Sequence, residues 1–420
     1  MPLSFAGSNT DTYGEFNQLE SGAAKVANNG RIDLPHQRVG LDIGSHTIKG
    51  VEVVERASEI SVRALGSVSV LAGDSRERSP DRSALIQAVK SLWSAARFES
   101  KDVVIGLAPD MVYLKWLRVE CSDDDELDHL ARSAAVRGCP FPPEDAIPDY
   151  RALSRIDRGN DPNVYHVMLA AASASAVNSA LDVAERAGLN VLAVDAGVAA
   201  ALRSLETERL TGGALWTGQP RAHCVLGASN TSIGVVRHGA LEFARTVPVG
   251  GNDITLAAAE HLGVSPAEAE HLKTSPDARL TEEGLLSVFH RGTEAQAPCW
   301  DAIERLAREI TRSLRFFSTQ FAEGSYLGMT GATTVSGGGS LLKGIDACLR
   351  RHGVEVTGIV NPFAGFSVED EGSGVERAGG RSAVYTTAMG LAIWDYWERA
   401  AQAGPTPAET DLHSPLRESA

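Results

Sequence analysis

The sequence predicts an α/β protein with two lobes and a small α+β insert in the first lobe. The chain has 420 residues and is 43% hydrophobic. This length exceeds that of one ordinary domain, and this composition allows most of the chain to bury a core. Each half begins with a strand, a glycine turn and a second strand, at residues 41–44 and 225–228, which indicates two lobes of similar design.

Shifts in composition and in hydrophobic pattern divide the chain into six predicted segments. The first and the last are polar or Pro- and Ala-rich, a composition typical of segments that do not order alone. In chain order the segments are a flexible N-terminal tail (1–38), the first part of the first lobe (39–110), the α+β insert (111–190), the return segment of the first lobe (191–220), the second lobe with a helical and α+β subdomain at about 260–325 (221–398), and a flexible C-terminal tail (399–420).

Within these segments, period-two and period-3.6 patterns predict the individual elements. The insert reads strand, acidic helix, loop, strand, helix over residues 113–189. The predicted strands outside the insert are 39–43, 47–55, 103–107, 224–226, 232–236, 241–249, 333–336 and 354–360. The predicted helices outside it are 83–97, 253–261, 266–273, 300–321, 341–352 and 385–399.

Charge and cysteine content exclude several classes of function. The formal net charge of −15 disfavours nucleic-acid partners and anionic lipid surfaces, because both require a cationic face. The five cysteines are far apart and lack CxxC spacing, so the sequence indicates neither a disulfide framework nor a zinc site. We find no signal peptide pattern and no apolar run long enough to insert into a bilayer. A cytoplasmic protein is therefore expected, and any membrane role would depend on a partner.

The first glycine-containing hairpin is the strongest local signal for chemistry. Its sequence is GLDIGSHTIK, residues 40–49. A glycine turn lets backbone amides approach an anion, and Ser45 and Thr47 add hydroxyl donors. Asp42 can hold a hydrated Mg²⁺. The alternative is an ordinary β-turn, which on this motif alone has about equal weight.

Later glycine clusters give weaker signals. Residues 336–340 read SGGGS between a predicted strand and a predicted helix, an arrangement suited to a nucleotide. This is not a Walker A loop, because Ile345 stands where that motif needs lysine. Gly250 and Gly251 permit close approach of the backbone to a phosphate or simply form a turn. Glu270 and Lys273, three residues apart, form either a surface pair or a reader of ribose hydroxyls.

The order of these motifs resembles that of the actin-like ATPase superfamily, which has a ribonuclease H-like core. That superfamily has a first phosphate hairpin, a connecting segment, a second phosphate hairpin, a GG segment, an E-x-x-K helix and a late GG adenosine loop. Within it the chain is most similar to the type IV pilus assembly protein PilM family, and next to the cell-division protein FtsA. The similar segments are CPFPPE (139–144), DY (149–150) and NPF (361–363), and the resemblance spans about residues 39–398.

The resemblance implies binding of ATP and Mg²⁺ and assigns a role to each matching position. Asp42 would bind Mg²⁺ through water, and it belongs to the hairpin whose residues would face phosphate. Asp195 is the nearest match to the acidic group that helps position the attacking water. The other implied nucleotide-binding residues are Gly44, Ser45, Thr47, Lys49, Gly227, Thr231, Gly250, Gly251, Glu270, Lys273, Gly337, Gly338 and Gly339.

One departure from the family pattern bears on activity. The second phosphate hairpin usually begins with Asp, as D-x-G, whereas this chain has Val225. The loss of that carboxylate removes an oxygen ligand of the metal's water shell, so hydrolysis should weaken more than nucleotide docking. A slow or inactive ATPase is the resulting expectation.

The resemblance also implies a function and its alternatives. A PilM-like protein is a cytoplasmic scaffold, peripheral to the inner membrane, that binds the cytoplasmic peptide of a PilN-like membrane protein through its insert. A small-molecule kinase of the sugar or acetate kinase kind shares the same core, but no separate substrate motif is found. An FtsA-like filament protein is the third alternative, although residues 402–420 lack its basic amphipathic helix. Self-association stays open.

Overall fold

The computed structural model describes residues 36–56, 59–70, 82–158, 161–205, 220–237, 240–319, 333–369 and 379–395. The predicted C-terminal tail lies outside these residues. So does the predicted N-terminal tail, except for residues 36–38. These three residues belong to the first strand, which therefore begins earlier than predicted.

The described residues form strands and helices along both halves of the chain. The strands are β1 (His36–Ile43), β2 (Thr47–Arg56), β3 (Glu59–Ser69), β4 (Asp102–Leu107), β5 (Val112–Cys121), β6 (Ala146–Arg158), β7 (Asp161–Ser173), β8 (Asn190–Ala196), β9 (Arg221–Leu226), β10 (Thr231–Arg237), β11 (Ala240–Val247), β12 (Arg279–Leu280), β13 (Leu285–His290), β14 (Thr293–Pro298), β15 (Thr333–Ser336), β16 (Val356–Ile359) and β17 (Ser367–Val368). The helices are α1 (Arg82–Ala96), α2 (Asp124–Gly138), α3 (Ala174–Ala187), α4 (Gly197–Leu205), α5 (Gly251–Leu262), α6 (Pro266–Lys273), α7 (Trp300–Thr319), α8 (Ile345–Arg351) and α9 (Thr386–Ala392).

The two large sheets share one arrangement of five strands, to which the first sheet adds β17. The first has the order β17-β3-β2-β1-β4-β8, and the second has the order β11-β10-β9-β15-β16. In each sheet three antiparallel strands are followed by two parallel ones. Antiparallel neighbours are joined by short turns, whereas parallel neighbours need the longer crossovers that the helices supply. The chain is therefore an α/β protein of two similar lobes.

Strand register sets the correspondence between the lobes. In the first hairpin Asp42 lies opposite Lys49, and in the second Val225 lies opposite Ser232. Since the strands on both sides of each hairpin pair in the same order, position 42 of the first lobe corresponds to position 225 of the second.

The core of the first lobe includes a helix from the far end of the chain. Helix α9 packs against β1, and a Cβ added at Gly40 would meet the carbonyl oxygen of Ala388 at 2.0 Å. Met389 and Leu391 of this helix are completely buried. Strand β17 also returns to this lobe and pairs with β3. The sheet of the first lobe is thus completed by residues that follow the second lobe in sequence.

The insert forms its own layer and contacts both lobes. Its sheet has the order β5-β7-β6, and α2 packs on it through Leu127, Ala131 and Ala135. The indole Nε1 of Trp116 on β5 donates a hydrogen bond of 2.7 Å to the carbonyl of Leu241 on β11. The insert therefore touches the second lobe as well as the lobe from which it emerges.

Several sequence predictions need correction. Strand β3, strand β6 of the insert, strand β17 and the small β12-β13-β14 sheet were not predicted. The helix expected at 341–352 begins only at Ile345, because Gly344 has φ of 86° and interrupts the preceding 3-10 turn, Gly338–Leu341. The last helix is described only as Thr386–Ala392, shorter than the predicted 385–399.

Candidate functional site

A deep cleft between the lobes brings together motifs that lie far apart in the sequence. Its volume is about 3030 Å³, several times that of a small-ligand pocket, so it is open to solvent as well as to a ligand. Most of the predicted nucleotide-binding residues line it: Asp42, Gly44, Ser45, Thr47, Lys49, Gly227, Gly251, Glu270, Lys273, Gly337, Gly338 and Gly339. Gly250, Thr231 and Asp195 do not line it.

The first hairpin presents an ion pair to the cleft. The amide of Gly44 donates to the carbonyl of Thr47 at 3.2 Å and closes the turn. A Cβ at Gly44 would lie 2.9 Å from that carbonyl oxygen, so the turn requires glycine. The Asp42 Oδ2 and Lys49 Nζ atoms are 3.1 Å apart, and both side chains are partly exposed. The carboxylate therefore remains accessible while the lysine neutralises it.

The second hairpin rests on the beginning of helix α5. The amides of Gly251 and Asn252 donate to the carbonyls of Gly227 and Ala228, at 2.9 and 2.8 Å. The backbone at Gly250 and Gly251 was expected either to approach a phosphate or to form a turn, and here the amide of Gly251 helps to hold the hairpin in place. Thr231 is also structural, since it is completely buried and its hydroxyl donates to the Val249 carbonyl.

The E-x-x-K pair joins α5 to α6 at the wall of the cleft. The Lys273 ammonium is 2.6 Å from the Glu270 carboxylate, and it donates to the Gly251 carbonyl at 3.0 Å and the Thr255 hydroxyl at 2.8 Å. Burial opposes ionisation of Glu270, but Lys273 and the hydroxyl of Thr255 outweigh it and lower the pKa of that carboxyl. All three ammonium protons of Lys273 thus have acceptors within the protein.

The glycine cluster at residues 336–340, called here the third glycine centre, packs on the second hairpin. Gly337 has φ of 83°, and a Cβ there would meet the Leu226 carbonyl oxygen at 2.6 Å. Its amide donates to the Ala383 carbonyl at 3.0 Å. Gly338 faces open space. A short 3-10 turn, Gly338–Leu341, follows this centre, and α8 begins only at residue 345, so the predicted α-helix N-terminus does not directly follow the glycines.

The sequence analysis assigned no role to several residues of the cleft, including His46. His46 lies at the tip of the first hairpin, between two residues that were predicted as phosphate contacts, and it lines the cleft. Beside it the Ser45 and Ser229 hydroxyls are 3.2 Å apart, so the two hairpin tips meet across the cleft. The only available signal was its position in the turn, and histidine is also common in ordinary turns.

The charge of the cleft is opposite to that of the whole chain. Although the chain carries a formal charge of −15, basic side chains outnumber acidic ones around the cleft. Six basic residues line it: Lys49, Arg97, Arg245, Lys273, Lys343 and Arg381. Four acidic residues line it: Asp42, Asp110, Asp253 and Glu270. A cation-rich cleft in an acidic protein concentrates anions at this one place.

Asp195 lies near the end of β8, just before the cleft residues Gly197 and Val198 in sequence, and is buried without lining the cleft itself. Its carboxylate is completely buried and is 2.8 Å from the Arg203 guanidinium, which also donates to the Gly390 carbonyl. Burial raises the pKa of Asp195, and Arg203 and Arg151 oppose this effect. Its expected role in positioning water stays a prediction, and this geometry favours a structural role.

The residues present suit a nucleoside phosphate with a divalent cation. The cleft offers ammonium groups, hydroxyls and, beside a glycine turn, the partly exposed carboxylate of Asp42. Mg²⁺ usually keeps several waters and binds through one or two carboxylates together with phosphate oxygens. Asp42 meets that requirement, whereas Val225 at the corresponding position of the second hairpin does not.

The duplicated sheets and the cleft between them define the fold of the actin-like ATPases. A sequence profile described as Type IV pilus assembly protein PilM matches residues 40–396. The chain belongs to the type IV pilus assembly protein PilM family.

Three solved structures are similar to this chain, and the first of them agrees with this assignment. One described as the PilM-PilN type IV pilus biogenesis complex is 26% identical, with 85% of this chain and 97% of that chain covered and a TM-score of 0.68. The ethanolamine utilization protein EutJ from Carboxydothermus hydrogenoformans is 16% identical, with 92% and 100% covered and a TM-score of 0.46. MreB5 of Spiroplasma citri bound to ADP is 12% identical, with 88% and 99% covered and a TM-score of 0.44.

Proposed function

We propose that this protein binds ATP with Mg²⁺ in the cleft and serves as a nucleotide-gated scaffold in type IV pilus assembly. The observation that carries the proposal is the convergence of both hairpins, the E-x-x-K pair and the third glycine centre on one cation-rich cleft. Nucleotide would bridge the two lobes, since each hairpin belongs to a different one. Its binding would therefore favour one relative arrangement of the lobes.

Each group has a distinct task in this proposal. Asp42 would hold the hydrated cation, whose charge would offset that of the phosphates, and Lys49 beside it would add a second positive charge. The Ser45 and Thr47 hydroxyls would donate to phosphate oxygens. Gly338, which faces open space, would leave room for the base and sugar. Lys273 would act mainly by bracing α5, because its protons already have acceptors.

Turnover is expected to be slow at best. In-line phosphoryl transfer needs its metal, water and phosphates to be held on both sides of the transferring group. Val225 provides no oxygen for this purpose at the second hairpin. The protein would then use nucleotide mainly to set its shape rather than to drive repeated cycles.

We further propose that the scaffold holds the cytoplasmic peptide of a PilN-like inner-membrane protein. The solved relative is described as a complex with PilN. None of the helices in the described ranges has the length and apolar character needed to cross a bilayer. The insert would receive the peptide, and its Trp116 contact with β11 would transmit lobe position to that surface. Such coupling requires different peptide affinities in the two nucleotide states.

Membership of the PilM family favours this scaffold over the two alternatives. No feature of the cleft singles out a substrate for a small-molecule kinase. The cytoplasmic location, peripheral to the inner membrane through a partner, belongs to the same proposal.

Calorimetry tests the nucleotide part. Full-length protein, stripped of nucleotide, is titrated with ATP in the presence and absence of Mg²⁺. We expect saturable binding that Mg²⁺ strengthens. If well-folded protein gives no saturable heat with ATP, the nucleotide proposal is wrong.

Capture from native membranes tests the partner part. Met111, at the start of the insert, is 39% exposed and lines the cleft region. We expect Met111→Asp to lose most of the captured PilN-like protein, identified by mass spectrometry. Phe289→Asp, at a residue of the second lobe that is 60% exposed, is the matched control and should capture normally. Equal loss in both variants, or in neither, would contradict a peptide site on this face of the insert.

A further inference from the structure

The exposed side of helix α7 carries a row of arginines. From residue 305 to residue 316 this helix has four arginines and one glutamate. The arginines follow one another at steps of three and four residues, so they share one face of the helix over about 15 Å. The opposite face is buried in the core of the second lobe through Leu306, Ile310, Leu314 and Phe317. We call this row the arginine ridge, and its members are Arg305, Arg308, Arg312 and Arg315.

Most of the charge on the ridge faces solvent. Arg308 and Arg312 are 62% and 69% exposed, and each lies at a long distance, 3.7 and 3.9 Å, from one glutamate of the same helix. Exposed ion pairs of this kind contribute little. Arg315 is exposed, and no ion pair joins it to another of the described residues. Arg305 differs from these three because Asp253 of α5 holds it closely.

The shape of the ridge limits what it can bind. It is convex, because it is the outer side of a helix whose inner side lies in the core. Peptides are usually held in grooves or along free strand edges, whereas a convex row of cations fits a broad anionic surface. The planar guanidinium group also matches the geometry of phosphate oxygens. At the end of the ridge Phe316 is 53% exposed, and its ring centroid lies 6.3 Å from that of Phe243.

Strand β11 connects the ridge with the insert. Its Arg245 lies 3.9 Å from Glu309 of α7, and its Leu241 carbonyl accepts the hydrogen bond of Trp116. The insert and the ridge therefore adjoin the same strand. A membrane protein held by the insert would bring this strand, and the ridge beside it, close to the bilayer.

We propose that the arginine ridge binds the anionic phospholipid headgroups of a membrane surface. The whole-chain charge of −15 disfavours such binding at long range. At physiological salt, however, charges act over about 8 Å, so at contact the ridge outweighs acidic groups elsewhere on the protein. This contact requires no nucleotide, and it adds to the contact that a membrane-anchored partner would provide.

Sedimentation with vesicles tests this inference on the full-length protein. The vesicles contain phosphatidylcholine with or without phosphatidylglycerol, at low and at physiological salt. The ridge variant carries Arg308→Gln, Arg312→Gln and Arg315→Gln. The matched control loses the same charge from exposed arginines on three other elements, through Arg137→Gln, Arg186→Gln and Arg279→Gln.

We expect the wild type and the control to bind vesicles that contain phosphatidylglycerol, less at the higher salt concentration, and not to bind phosphatidylcholine alone. The ridge variant should bind about 10- to 100-fold more weakly, since each cation near an anionic surface contributes about fivefold. Lysine at the same three positions should keep most of the binding, because the charge is retained.

Equal loss in the ridge variant and in the control would show that net charge rather than the ridge is responsible, and would overturn this inference. Absence of wild-type binding at low salt would overturn it too. If the wild type binds polyglutamate through these arginines but binds no vesicle, the partner is an acidic protein and the assignment to lipid is wrong. None of these results would affect the proposed binding of nucleotide or of a partner peptide.

Discussion

The first hairpin pairs Asp42 with Lys49 across its strands, whereas the second pairs Val225 with Ser232 at the same two positions. The backbones are otherwise alike, since a glycine amide closes each turn at 3.2 and 3.0 Å. The turn geometry thus survives without the charged pair. Shape and charge can therefore be separated experimentally, because either pair can be changed on a similar backbone.

The difference between the two hairpins also indicates that the two lobes have different roles. Asp42 is the hairpin carboxylate on the first lobe, and the second hairpin has no equivalent. The second hairpin is instead tied to α5 by the amides of Gly251 and Asn252. We infer that the first lobe organises the cation while the second closes over the nucleotide.

The largest effect should come from removing the charge of the first pair. Asp42→Asn keeps the size of the side chain but removes the carboxylate for the hydrated cation. We expect Mg²⁺-dependent ATP affinity to fall by about 10- to 100-fold, the range for outer-sphere metal contacts. Calorimetry with and without Mg²⁺ measures it.

Val225→Asn at the matching position is the control and should change the affinity little. If both variants weaken binding equally, the two hairpins contribute alike and the assignment of unequal roles is wrong. Circular dichroism would check that both variants fold.

A smaller effect should follow from rebuilding the missing pair. Val225→Asp restores the carboxylate but faces Ser232 rather than a lysine, so its charge lacks a partner. Val225→Asp with Ser232→Lys recreates the pair of the first hairpin. We expect the single change to raise ATP turnover by about tenfold, equivalent to about 1.4 kcal/mol of barrier, and the double change to retain that gain with better stability.

Phosphate release under single-turnover conditions gives the rates. Val225→Asn, which lacks the charge, should show no gain. Fast hydrolysis by the wild type would refute the premise that Val225 limits turnover. An unchanged rate in a folded Val225→Asp protein would remove the role assigned to this position.

The smallest expected effect is on the pH dependence of the free energy of unfolding. It arises at another position where the two sheets correspond but carry different residues. Gly40 of β1 corresponds to His223 of β9. His223 is buried, and its ring nitrogens lie 2.9 and 2.8 Å from the hydroxyls of Thr334 and Ser336. Burial, aided by Arg221, lowers the pKa of His223 to about 3 from an ordinary value of 6.5.

Below pH 6.5 the unfolded chain therefore takes up a proton that the folded protein refuses until about pH 3, so stability falls as pH falls across this window. We expect this group to remove about 1 kcal/mol of unfolding free energy between pH 7.5 and 5.5. Urea denaturation at the two pH values measures the loss.

His223→Gln should be less stable at pH 7.5 but should show a shallower dependence on pH. His271→Gln, at an exposed position, should keep the wild-type dependence. An identical slope for His223→Gln and wild type would show that the pH dependence arises elsewhere.

Much of the fold was predictable because local rules determine it. The alternation around residues 39–55 and the period of residues 300–321 gave a hairpin and a long helix, observed as β1-β2 and α7. Strand β3 was missed because its partly polar sequence is buried by tertiary contacts, including Gly66 against Ala96. The late start of α8 depends on the positive φ of Gly344. A glycine permits this conformation, but its presence in the sequence does not predict it.

The candidate site was predictable as a set of motifs but not as a set of contacts. Most of the nucleotide-binding residues that motif order identified line the cleft. Sequence could not show that the amides of Gly251 and Asn252 are taken by the second hairpin, nor that Asp195 pairs with Arg203. His46 was missed for the same reason, because the burial of its Nδ1 atom is visible only in the three-dimensional packing.

The position of α9 has a consequence for how the protein is made. This helix fills the core of the first lobe, and Gly40 of the first strand lies directly against Ala388. A ribosome must therefore synthesise the whole second lobe before the first can bury its central strand. During translation the sheet of the second lobe is complete before the helix that covers the first sheet has been made. Until then the first lobe exposes an apolar face that chaperones can recognise. The first lobe is thus the first to begin synthesis and the last to receive all of its elements.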